Sequence, residues 1–93
     1  MWNEAMATRT SQSTVRFGST FLLQGFDAPQ PAGEYRVERD EETIEGSSWL
    51  GWRCVATFIY LPAIGVVRST QQLLQVDPAE LQAALEEDHD DNR

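Results

Sequence analysis

The sequence predicts a mainly β domain with a C-terminal α-helix. This is an α+β fold: a small antiparallel sheet or partly open barrel of about four to five strands, with one helix packed on it. Three observations carry the prediction. Apolar residues recur at every second position in separate segments between residues 15 and 76, the period of a half-buried strand. Glycine and proline punctuate the intervals between those segments. Residues 77–85 then switch to helical spacing behind a strong N-terminal cap.

In chain order, residues 1–12 are polar and aperiodic and read as a flexible N-terminal extension. Residues 13–88 form a single globular domain, and residues 89–93 a disordered acidic tail. Val15, Phe17, Phe21 and Leu23 share one face of a first strand, with a bend or bulge at Gly18. Gly25 to Gly33 holds Pro29 and Pro31 and is a loop. Glu34–Arg39 is a second strand with Tyr35 and Val37 on one face, and Asp40, Glu41 and Glu42 follow as a charged turn or short extension to Ile44. Gly46-Ser47-Ser48 breaks the chain again.

Trp49–Leu61 is the strongest strand. Trp52, Cys54, Ala56, Phe58 and Tyr60 alternate on one face, and Val55, Ile59 and Leu61 on the other. Such a strand belongs at the centre of a sheet, covered on two sides. Val66–Val76 is the last strand. The helix begins with Asp77 as N-cap, Pro78 at N1 and Glu80 at N3, a capping box, with Val76 positioned to staple onto Leu81. Leu81, Ala84 and Leu85 make its apolar stripe. Beyond Asp88 the helix has nothing to bury and is expected to fray.

Length bounds the chain to one domain with a modest core, since 93 residues leave no room for a second. The net charge is −8, and residues 77–93 supply −6 of it through seven acids and one arginine. An acidic chain is repelled by phosphate backbones and anionic bilayers, so neither nucleic acid nor membrane is an expected partner. The stretch Val55–Val67 holds Thr57, Pro62 and Gly65 and is too short to span a bilayer. One cysteine, Cys54, excludes an internal disulfide and points to a reducing, cytoplasmic setting.

Catalytic chemistry finds little to work with. Cys54 is the only thiol and His89 the only imidazole, and they fall in distant parts of the predicted fold. The carboxylates Glu38, Asp40, Glu41, Glu42 and Glu45 lack EF-hand spacing, and no glycine-rich phosphate loop is present. No catalytic, cofactor-binding or metal-binding residue is assigned, and no cofactor is expected. Trp49, Trp52, Arg53 and Tyr60 form the candidate interaction surface, because protein interfaces concentrate energy in Trp, Tyr and Arg.

The segment Pro31-Ala32-Gly33-x-Tyr35-x-Val37-Glu38-x-Asp40-Glu41-Glu42 resembles a family of short uncharacterised bacterial proteins. Phe21-x-Leu23-x-Gly25 before it, and Gly46, Arg53, Ala56-Thr57 and Asp77-Pro78-x-Glu80-Leu81 after it, extend the likeness from about Val15 to Leu85. The chain departs from that pattern at Trp52-Arg53-Cys54, where a Tyr and two Arg are usual. The resemblance implies no activity, cofactor or partner. The leading expectation is therefore a non-enzymatic protein–protein interaction or accessory module, its partner an unidentified protein or a second copy of the chain (a homodimer), with a closed monomeric barrel as the rival to that dimer. A small-ligand binding protein is the alternative, and a small enzyme stands behind both.

Overall fold

The computed structural model describes residues 8–45, 50–67 and 70–91. Four strands and a helix follow in order: β1 (Thr8–Phe17), β2 (Gly33–Glu45), β3 (Leu50–Leu61), β4 (Gln72–Val76) and α1 (Pro78–Asp91). The strands make one open antiparallel sheet in the order β1-β2-β3-β4, so sequence neighbours are always spatial neighbours. The α+β expectation holds, with four strands and no barrel closure.

The core occupies one face of the sheet at one end. Phe17, Tyr35, Val37 and Ile59 line the sheet, and Leu81 covers them from α1. Phe21 and Leu23 come from the loop between β1 and β2. Leu61, Ala63 and Val76 complete the buried set, and Ala84 and Leu85 pack at its margin as the helical stripe predicts. Phe17 stacks on Phe21 at 3.6 Å between ring centroids, and Tyr35 meets Phe21 edge-on at 5.1 Å.

The Pro31-Ala32-Gly33 approach to β2 has a physical reason. Gly33 sits at φ 151°, where side chains are rare, and a Cβ there would lie 3.2 Å from that of Ala63. Two residues on, the buried Tyr35 donates its hydroxyl proton to the carbonyl of Pro31 at 2.6 Å. The segment thus turns the chain, admits the β3–β4 connection and satisfies its own buried phenol.

Several boundaries differ from expectation. Residues 8–12, expected in the loose extension, are part of β1 and pair with Glu38–Glu42 of β2. They bury almost nothing, so no apolar periodicity announces them. Their hold is cross-strand and polar: Thr10 donates to Asp40 at 2.8 Å and Gln12 to Glu38 at 2.9 Å. At its other end β1 stops at Phe17 instead of running to Leu23. The amides of Gly18 and Ser19 leave the ladder and donate to the Asp88 carboxylate at 2.9 and 3.0 Å. Only a single bridge, Phe21 to Gln30, pairs within the loop that follows. Of the two readings of Asp40, Glu41 and Glu42, the extension holds and the turn does not, because β2 runs through them to Glu45. The last strand covers Gln72–Val76, and of the expected portion before it the described residues Val66, Val67, Thr70 and Gln71 lie outside the strand, with Val67 98% exposed. The helix continues to Asp91, past the point where fraying was expected. The break at Gly46-Ser47-Ser48 lies outside the described residues.

The helix cap forms in half. Asp77 Oδ1 accepts the Ala79 amide at 2.8 Å. Glu80 does not close the box; it reaches across to accept the Gln24 amide at 3.0 Å. Glu80 and Asp88 thereby grip the loop between β1 and β2 at two places from one face of α1.

Candidate functional site

A β-bulge decides where the predicted surface residues go. Asp40 pairs with Ala56, but its neighbour Glu41 pairs with Cys54, so Val55 is an extra residue in β3. An extra residue reverses the alternation beyond it. Trp52 and Cys54 therefore lie on the helix side of the sheet with Thr57 and Ile59. Ala56, Phe58 and Tyr60 lie on the opposite, open side. The expectation that Trp52, Cys54, Ala56, Phe58 and Tyr60 share one face is corrected accordingly. So is the expectation of cover on both sides: Thr57, Ile59 and Leu61 are buried, whereas Phe58 and Tyr60 on the open side are only half-buried.

The four candidate surface residues consequently do not form one patch. Trp49 lies outside the described residues, as does Trp2. Trp52 is 39% exposed on the helix side, where the Arg9 guanidinium sits 4.0 Å from its ring centroid. Arg9 also donates to Glu41 Oε1 at 2.8 Å. Arg53 points to the open side and donates from Nε to Glu42 Oε1 at 2.9 Å. Tyr60, further along that side, donates its hydroxyl to Glu38 Oε1 at 2.9 Å, an oxygen that Gln12 also reaches. The Arg36 guanidinium lies 6.0 Å from the Tyr60 ring. The hydrogen bond to the Glu38 carboxylate holds the phenolic proton and raises the Tyr60 pKa above 10.0.

The open side thus has two textures. Across β1 and β2 it is a lattice of paired charges and hydroxyls. Across β3 and β4 it carries Ala56, Phe58, Tyr60 and Leu73, the last 46% exposed. Leu73 and the pairing partners Arg9, Gln12, Arg36 and Glu38 lie outside the surface that the sequence predicts. Leu73 sits beside Tyr60 through the register of β4, which local alternation does not reveal.

Cys54 and His89 are not brought together. Cys54 borders an open cleft of about 510 Å³ between the bulge and the start of α1, lined also by Gln24, Thr57, Asp77 and Glu80. Its sulfur is 3.3 Å from the Thr57 hydroxyl. His89 is in the last turn of α1, roughly 18 Å along the helix axis from Asp77. Among the described residues no three His, Cys, Asp or Glu side chains are grouped to hold a metal ion. The carboxylates Glu38, Asp40, Glu41 and Glu42 instead each accept from a side chain of a neighbouring strand. No helix among the described residues is long and apolar enough to cross a membrane.

Comparison with known protein families, with curated proteins and with solved structures finds no match to this chain.

Proposed function

We propose that this chain is a non-enzymatic protein–protein interaction module. The observation that supports the reading is the partly exposed apolar strip on the open side, Phe58, Tyr60 and Leu73, backed by a strand whose other face is buried at Thr57, Ile59 and Leu61. A sheet with apolar groups on two faces and one helix has a face to spare. The polar half of the same side supplies a rim of oriented charges, the arrangement that gives an interface its specificity. Self-association belongs to this reading, as one of the contacts such a surface makes. The free thiol of Cys54 fits a reducing, cytoplasmic setting.

The test is comparative capture from the native cell. Wild-type bait and a Tyr60→Ser/Leu73→Ser bait of equal melting temperature are exposed to the same lysate. Proteins retained by the wild type are expected to be lost from the variant. Equal recovery on both baits, or none on either, rejects the proposal.

A further inference from the structure

We infer that the outer edge of β1 is a docking edge for a second copy of this chain, joining two sheets into one of eight strands. The inference rests on the interaction reading and names a partner and a surface for it. An edge strand turns alternate backbone amides and carbonyls outward, a ready template for another strand. Proteins that remain single blunt such edges with proline, bulges, brevity or outward charges. The other edge, β4, is five residues long. β1 is ten residues long, contains no proline or lysine, and pairs with β2 without a break in register.

Three of its polar side chains turn away from the edge, and Arg16, near its end, is the one exposed charge on it without such a contact. Arg9, Thr10 and Gln12 all reach inward to Glu41, Asp40 and Glu38 of β2, and Arg9 continues over Trp52 of β3. Among the described residues no strand pairs with the outer edge of β1, which runs beside short serines and threonines.

Two arguments select a second copy as the occupant. The first is area. The chain exposes 6519 Å², whereas a compact monomer of this mass exposes about 5,400 Å². Its radius of gyration is 16.0 Å against about 12 Å expected for this length. The surplus exceeds the roughly 800 Å² that each partner contributes to a standard interface.

The second argument is charge. The chain carries −8, so copies repel over most of their surface. β1 holds two arginines and no acid. A two-fold axis normal to the sheet requires residues of like face to oppose, so Gln12 or Ser13 opposes its own copy. Arg9 then faces Val15 or Phe17, and Arg16 faces Thr8 or Thr10. No like charges meet in either register.

Sedimentation equilibrium tests this with the full chain. The wild type is expected to reach twice its 10.5 kDa mass as concentration rises. Ser11→Lys/Ser13→Lys sets lysine against lysine in both registers and is expected to stay at the single-chain mass with an unchanged β-sheet spectrum. Mixing it with a Ser11→Glu/Ser13→Glu chain is expected to restore the doubled mass. A wild type of single-chain mass at every concentration overturns the inference, as does a lysine variant that still dimerises. If that surviving dimer is lost in Tyr60→Ser/Leu73→Ser, the contact is on the open side: the edge inference fails and the interaction reading stands. Equal lysate capture by the two baits, with the edge result intact, fails the broader reading alone.

Discussion

Tyr35 ties three parts of the chain together with one side chain. Its ring is fully buried against Phe17 and Phe21, and its hydroxyl is held by the Pro31 carbonyl. Burial disfavours the phenolate, which raises its pKa above the usual 10.0. The native state therefore holds this proton more tightly than the unfolded chain does. The resulting stability is fully present below the unfolded value and is lost as pH rises through the folded one. Tyr35→Phe is expected to cost about 1 kcal/mol at neutral pH, from the lost hydrogen bond. In return, its urea midpoint should fall less steeply than that of the wild type between about pH 9 and about pH 11. Parallel slopes for the two proteins would mean that the burial of this phenol does not control alkaline unfolding. Alternation in Glu34–Arg39 made Tyr35 legible as a core residue. Its acceptor was not, because a backbone carbonyl four residues away carries no side-chain signal.

The elements differ in how much of their making is local. In α1 nearly everything is: Asp77 caps, Pro78 opens the first turn, and Leu81, Ala84 and Leu85 face the core. Asp77→Ala should lose one cap bond and about 1 kcal/mol. Leu81, at 1% exposure, should lose roughly 2–4 kcal/mol when cut to Ala, because a cavity opens beneath the helix. Urea melts that give equal, negligible losses for both would show that the helix is not docked. The strands depend on partners. The first half of β1 is polar on both faces and is a strand only because β2 offers it carboxylates. Val66 and Val67 read as strand, but the β3–β4 ladder runs only from Leu61–Gln72 to Thr57–Val76. The bulge at Val55 is set by register against Asp40 and Glu41, and no alternation within β3 displays it. That one residue separates Trp52 from Tyr60, which is why the candidate surface read from spacing comes apart in space.

The whole molecule is expected to stand without a metal and without its thiol. Glu38, Asp40, Glu41 and Glu42 of β2 each accept from a side-chain donor, and Cys54 is exposed beside Thr57. Incubation with EDTA should leave the melting temperature unchanged, and Cys54→Ser should shift it little, since a hydroxyl can still bond Thr57. A sharp fall on chelation would reveal a structural metal, whose binding energy is folding energy. The grip of α1 on the loop after β1 also bears on how the chain is made. The sheet is a meander, so each strand closes on the one just synthesised, at small entropic cost. The bond from Gly18 to Asp88 spans 70 positions and cannot form until the final turns of the helix exist. A nascent chain can therefore assemble its sheet progressively, yet it must wait for α1 before Phe21 and Leu23 are sealed beneath Leu81. Until then the aromatic cluster of Phe17, Phe21 and Tyr35 lacks its helical cover.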